Sequence, residues 1–315
     1  MSIRSLGLGG ALPIADRDPD LLFGNPALVG RARGSGVALV RPAPGDRRIS
    51  MAAATGWWGG GAALGVRVVD GVGRQRAMGI HDWVGYGGMG RTTLGAVTAG
   101  YARTVMGVQV GASVTGVEAR RGDSRDAVAT VDLGVAADLG LVMLGVSGGG
   151  LGPSLELPGW GGGGHGVAPR WDPMPPAGAQ VASARGQVAA VGAQVASTGI
   201  VPSGSEAMEG FDARWVRVGF GTPTAPLGPL DVAAAGSVTA REGYRPRAGV
   251  GVEVGWWPVA GRTFVGRAGL ESGRPTETSP WSAGGAFLGD SFTLEYALQP
   301  RVDGGWVHGV GVRFR

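Results

Sequence analysis

In the stretch FTLEYALQ, Phe292, Leu294, Tyr296 and Leu298 alternate with Thr293, Glu295, Ala297 and Gln299. A period of two residues marks a β-strand, because successive side chains leave the backbone on opposite faces. The same alternation sets Val108, Val110, Ala112 and Val114 against Gln109, Gly111, Ser113 and Thr115, and Val250, Val252, Val254 and Trp256 against Gly251, Glu253 and Gly255. Further strands are predicted at 37–41, 49–57, 62–69, 92–103, 128–137, 139–147, 180–185, 187–197, 215–220, 230–240, 262–270 and 306–314, with 77–84 undecided. That makes roughly fourteen to sixteen strands, and no helical pattern intervenes to suggest βαβ units. Glycine, at 64 of 315 residues, argues the same way, since each costs a helix about 1 kcal/mol relative to alanine.

A soluble sandwich or propeller and a membrane barrel both satisfy this pattern. The minor face of many strands is Gly, Ser, Thr, Gln or a charge, which suits a polar lumen better than a second apolar layer. Tryptophans gather where strands meet turns: Trp57 and Trp58 precede GGG, Trp256 and Trp257 precede PVAG, and Trp306 follows DGG. An indole favours the headgroup boundary, so these five are expected as interfacial aromatics. No repeats suggest blades or coils, and no apolar run reaches the ~18 residues of a spanning helix. The predicted fold is all-β: a single antiparallel transmembrane β-barrel of about fourteen strands over 35–315, which leaves residues 1–34 for a separate N-terminal element. Asp132, Arg217, Asp231, Glu253, Arg267, Glu295 and Arg313 alternate with apolar neighbours. Facing lipid, a midplane arginine would cost ~2 to 4 kcal/mol, so these charges are expected to face the lumen. A hairpin around Trp257 and Arg262 would put Glu253 and Arg267 within diagonal reach. Such charges read either as a structural network or as a selectivity constriction.

Other motifs fall away. With no cysteine there is no disulfide or thiolate metal site, and His81, His165 and His308 lack ligand spacing, so no metal is expected. All 28 basic residues are arginine and the net charge is +4, without the clustered footprint of a nucleic-acid binder. GYGGMG at 85–90 matches a dinucleotide fingerprint that a glycine-rich chain produces by chance, and no helix follows it. GVSGG around Ser147 lacks the strand-turn-helix setting of a nucleophile elbow. Neither enzyme activity nor a cofactor is expected. Arg121, Gly122 and Asp123 read as part of a charged hairpin loop, and the Gly- and Pro-rich stretch 152–176 as an extramembrane loop or a lid at a barrel mouth.

The opening segment, RSLGLGGALPIADRDPDLLFGNPALVG, resembles the mature N-terminus of PorV/PorQ-type outer-membrane proteins, relatives of the FadL hydrophobic-compound transporters. The positions that carry the likeness are Gly9, Gly10, Ala11, Ala15, Asp16, Phe23, Asn25, Pro26 and Ala27. Tyr296, Ala297, His308 and Phe314 resemble the family's closing strands, although Arg315 follows the terminal aromatic. The chemistry of the segment agrees: Pro26 suits the first position of a helical turn that Asn25 can cap. Asp16, Asp18 and Asp20 can meet lumen arginines, and Phe23 and its leucine neighbours give the element an apolar surface. The resemblance implies fourteen strands, both termini periplasmic and no catalysis. It also implies a bacterial outer-membrane location, with lipid around the barrel; the absence of a signal peptide suggests a mature or truncated start. Two roles follow. One is passage of a hydrophobic small molecule gated by residues 1–34 as a short N-terminal plug segment in the barrel mouth, which predicts an apolar pocket beside it. The other is a PorV-like accessory role in protein secretion, with secretion-system proteins or cargo bound at the loops.

Overall fold

The computed structural model describes residues 2–42, 45–72, 91–153, 214–242, 244–259, 261–273 and 278–315. The strands are β1 (Gly34–Arg41), β2 (Arg47–Trp57), β3 (Gly60–Val72), β4 (Arg91–Val105), β5 (Val108–Arg121), β6 (Ser124–Asp138), β7 (Met143–Leu151), β8 (Trp215–Gly221), β9 (Ala225–Leu227), β10 (Leu230–Arg241), β11 (Arg247–Val259), β12 (Arg262–Ser272), β13 (Trp281–Leu288), β14 (Phe292–Pro300) and β15 (Trp306–Phe314). Each pairs antiparallel with its neighbour, and β15 returns to β1 through Ser35 opposite Phe314 and Arg41 opposite His308. The result is a closed barrel of 14 strands with the three-residue β9 added beside β10. Closure leaves no edge with unpaired backbone groups, the condition that hydrocarbon imposes on any sheet crossing it. The sequence reading missed β13 and set β7 four residues too early. The strands expected at 77–84, 180–185 and 187–197 lie outside the described residues, as do His81, His165, the 85–90 motif and most of 152–176.

Alternation sorts the side chains into two surfaces. Val37, Leu39, Leu64, Val66, Val114, Leu133, Val252, Val254, Leu294 and Val310 point outward and remain about half exposed. Ala38, Ala52, Ala63, Thr98, Thr115, Ala136, Ser147, Ala235, Ala297 and other small residues of the same strands point inward and are buried. A continuous outer band of valine and leucine on a closed barrel is the lipid-facing surface of an outer-membrane barrel. Aromatic rings mark its two margins. At the end that carries both chain termini, Trp57 stacks on Trp58 with centroids 5.4 Å apart, and Trp256, Phe264, Phe287 and Phe292 form a chain with spacings of 6.2, 5.4 and 6.0 Å. At the opposite end Trp281 and Trp306 meet edge to face at 6.2 Å. The terminal end has the short turns, two of them the two-residue turns Trp58-Gly59 and Met106-Gly107, whose positive φ values match the strand twist. The longest connections, from β3 to β4 and from β7 to β8, lie at the other end.

The chain before β1 packs against the inner face. It contains a short helix, α1 (Ile3–Gly7), capped by the Ser2 hydroxyl, which accepts from the Ser5 N–H. Two 3-10 turns follow, Pro19–Phe23 and Pro26–Gly30, each opening on proline, whose fixed φ and missing N–H suit a first turn. α1 touches β12 to β15, the first turn touches β1 to β4, and the second touches β3 to β6. Ile3, Leu6, Leu8, Ile14, Leu22, Leu28 and Val29 are all less than 3% exposed.

Glycine makes that fit. A Cβ at Gly269 of β12 would stand 2.1 Å from the Gly9 backbone nitrogen, and one at Gly111 of β5 would stand 2.5 Å from the Pro26 carbonyl oxygen. The inward glycines are therefore the surface on which another backbone lies, rather than mere breaks in the strands.

Candidate binding site in the barrel interior

The residues expected to face the lumen divide into three settings. Glu253, Arg267, Glu295 and Arg313 form one buried network, together with three charges from the N-terminal segment. Arg4 pairs with Asp16 and Glu253, its Nε lying 3.0 and 2.9 Å from the two Glu253 oxygens. Arg267 pairs with Glu253 and donates to Glu295 at 2.7 Å. Arg313 donates to Glu295 at 3.0 Å and pairs with Asp18, with Asp16 at 3.9 Å. Glu253 and Arg267 sit directly opposite one another in the β11–β12 register, not diagonally as the sequence suggested. The difference arises because the register shifts within β11, between Trp256 and Val259, which brings the inward rows of the two strands into line from Trp256 back to Ala248. Each carboxylate in the network accepts from at least one guanidinium, which is what burial of ions demands.

Asp132 and Arg217 occupy a second setting, nearer the long-loop end. Asp132 accepts from the Gly150 N–H at 2.9 Å, and Arg217 Nε donates to the Thr239 hydroxyl at 2.8 Å. Asp231 lies near the terminal end of β10 opposite Gly255, in no ion pair among the described residues. Of the N-terminal residues, Asn25 Oδ1 accepts from the Ala27 N–H at 3.0 Å, while its amide donates to the Val135 and Val146 carbonyls at 3.3 and 3.4 Å. The Phe23 ring lies under the Arg67 guanidinium at 4.5 Å. Asp20 is half-buried, and loss of hydration raises its carboxyl from the ordinary value against the opposing charge of Arg67. The Trp57 and Trp58 pair, Trp256, Trp257 and Trp306 lie at the barrel margins described above, each about half exposed or more.

Between the N-terminal segment and the long-loop end lies a cavity of about 290 Å³. Asp18, Asp20, Leu21 and Phe23 contribute its floor, and β2, β3, β8, β10 and β11 its wall. An apolar pocket was expected here, and the wall is instead mixed. Val69 joins it to an inward apolar cluster with Leu94, Ala96, Val117 and Ala119. The remainder is dominated by arginine, including Arg48, Arg67, Arg241 and Arg247. Sequence reasoning missed these four. Three of them lie just outside the predicted strands, which began at 49 and 250 and stopped at 240, and Arg67 stood inside one, flanked by the outward Val66, without being assigned a face. Extending the alternation by one to three residues at strand ends would have found Arg48, Arg241 and Arg247, and assigning faces within 62–69 would have found Arg67.

Neither a protein-family model nor a curated protein matches the chain. Solved structures do resemble it. The toluene transporter TodX of Pseudomonas putida superposes with a TM-score of 0.56 at 10% identity, covering 100% of this chain and 97% of that one. The monoaromatic hydrocarbon channel CymD gives 0.53 at 11% identity over 99% and 97%. The toluene transporter TbuX of Ralstonia pickettii gives 0.52 at 12% identity over 100% and 98%. The described residues thus share the barrel fold of these FadL-like outer-membrane proteins.

Proposed function

We propose that this protein passes a small solute with an apolar or aromatic part across the outer membrane, and that residues 1–34 act as a plug that must shift for passage. The observation that carries this reading is the seating of the segment: it lies in the bore beneath the cavity, and besides its buried apolar side chains it is tied to the wall by ion pairs from Arg4 and Asp18, contacts that can reform. The proteins of similar fold named above, two toluene transporters and a monoaromatic hydrocarbon channel, support the solute class. Short turns at the terminal end and long connections at the other support an orientation with both termini in the periplasm. Among the described residues nothing favours the secretion-accessory role over this one.

The chain has no cysteine, so the plug can be locked by design. A Cβ at Gly221 of β8 stands 3.6 Å from that of Ala15, within the usual disulfide range of about 3.5 to 4.5 Å. In the variant carrying Ala15→Cys and Gly221→Cys, oxidation is expected to abolish uptake of radiolabelled toluene into reconstituted vesicles, and dithiothreitol to restore it. Equal uptake in both states would remove the gating role. No uptake in either state, nor in the parent protein, would remove passage itself.

A further inference from the structure

The cavity lining combines two chemistries that a site for a neutral hydrocarbon has no use for together. Seven arginines line it against four carboxylates, Asp18, Asp20, Asp132 and Glu271; Asp18 is also paired with Arg313 and Arg301 with Asp303, neither of which lines it. Among the described lining residues this leaves an excess of three positive charges. Three of the arginines also stand against aromatic rings that line the same cavity. Arg67 lies 4.5 Å from the centre of Phe23, Arg217 lies 5.6 Å from Trp215, and Arg241 lies 6.0 Å from Tyr244. The β8–β10 register fixes two of these pairs side by side, with Arg217 opposite Thr239 and Trp215 opposite Arg241. Val69, Val40, Leu12, Leu21 and Val307 add apolar surface to the same lining, and Val69 is backed by the buried Leu94 and Val117.

Covering guanidinium groups with a hydrocarbon removes water from them and returns nothing. A carboxylate returns charge-assisted, two-pronged hydrogen bonds that match the planar guanidinium fork. Rings of arginine likewise make pores selective for anions. A lone inorganic anion, however, would leave the three aromatic faces and the apolar wall unused. The volume, about 290 Å³, lies at the lower edge of ligand pockets, so the occupant is small.

We infer that the cavity binds an aromatic carboxylate: its ring against Phe23 and the Val69 wall, its carboxylate toward Arg217 and Arg241. This rests on the passage reading above and narrows its solute from a neutral to an anionic aromatic. The test is equilibrium dialysis of the detergent-purified full-length protein with radiolabelled benzoate and radiolabelled toluene. Benzoate is expected to bind more tightly than toluene, and the difference to shrink as salt is raised. Arg217→Gln and Arg241→Gln, checked for folding by heat-modifiable migration, are each expected to lower benzoate affinity about tenfold. Should neither variant fold, the salt dependence of the parent protein's preference still decides. Toluene bound as tightly as benzoate, or a preference indifferent to salt, would overturn the inference. Toluene entering vesicles while benzoate does not would overturn it and leave passage standing; exclusion of both would end both readings.

Discussion

At Gly269 the Leu8 and Gly9 backbone occupies the space where a side chain would begin. Because the obstacle is backbone, no rotamer change relieves it, and Gly269→Ala is expected to cost about 1 to 3 kcal/mol as overpacking. The loss should fall on the N-terminal segment before the barrel, since β12 keeps its ladder with β11 and β13. Trypsin should then cut at Arg4 or Arg17 in the folded variant faster than in the parent, while heat-modifiable migration is retained. Gly266→Ala, three residues away with nothing within 4 Å of its new methyl, should leave the digestion unchanged. Equal protection in the two variants would mean that the close approach at Gly269 does not hold the segment.

Among the elements, the β14–β15 turn shows how one carboxylate organises a hairpin. Asp303 accepts from Arg301 Nη2 at 2.7 Å and from the Gly305 N–H at 3.1 Å. The Arg301 hydrogen bond, ahead of the Gly305 amide, lowers its carboxyl from 3.8 to about 2. A folded value below the unfolded one means that the ionised form favours the fold. That contribution is complete above 3.8 and is lost as the pH falls through about 2. NMR titration of the Asp303 carboxyl should therefore show a midpoint well below 3.8, and Asp303→Asn should speed amide exchange at Gly305 near neutrality. A midpoint at the ordinary value would mean the turn is not held this way. The elements also show where sequence patterning runs out. β13, WSAGGAFL, escaped notice because two central glycines and two alanines leave its faces nearly indistinguishable. β15 could be read to the residue because Val307, Gly309, Gly311 and Arg313 oppose larger apolar partners such as Val310 and Phe314.

For the whole molecule, the decisive property is that the apolar surface is outside. Val252 on β11 is 49% exposed, and its neighbours Gly251 and Glu253 point into the bore. Val252→Arg is expected to destabilise the folded protein by about 2 to 4 kcal/mol, read by urea unfolding in lipid vesicles. An unchanged midpoint would argue that this face does not meet hydrocarbon. The same inside-out arrangement accounts for the composition. With lipid outside and a packed backbone inside, the chain uses small residues inward and valine outward, and charge is confined to the bore and the ends.

The sequence by itself determined the all-β class and a strand tally near fourteen, and it set the expectation that the charged strand positions face inward. All of these follow from a local period of two residues and from the cost of placing charge in lipid. Only the tertiary structure decided the partners. That Arg4, Asp16 and Asp18 join Glu253, Arg267, Glu295 and Arg313 depends on strand register and on where the N-terminal segment lies, and neither is encoded in any short stretch of chain. The arginine cavity is of the same kind: its arginines come from five strands and from the connections Arg245 and Arg301 occupy, and their common charge becomes a site only once the barrel closes around it.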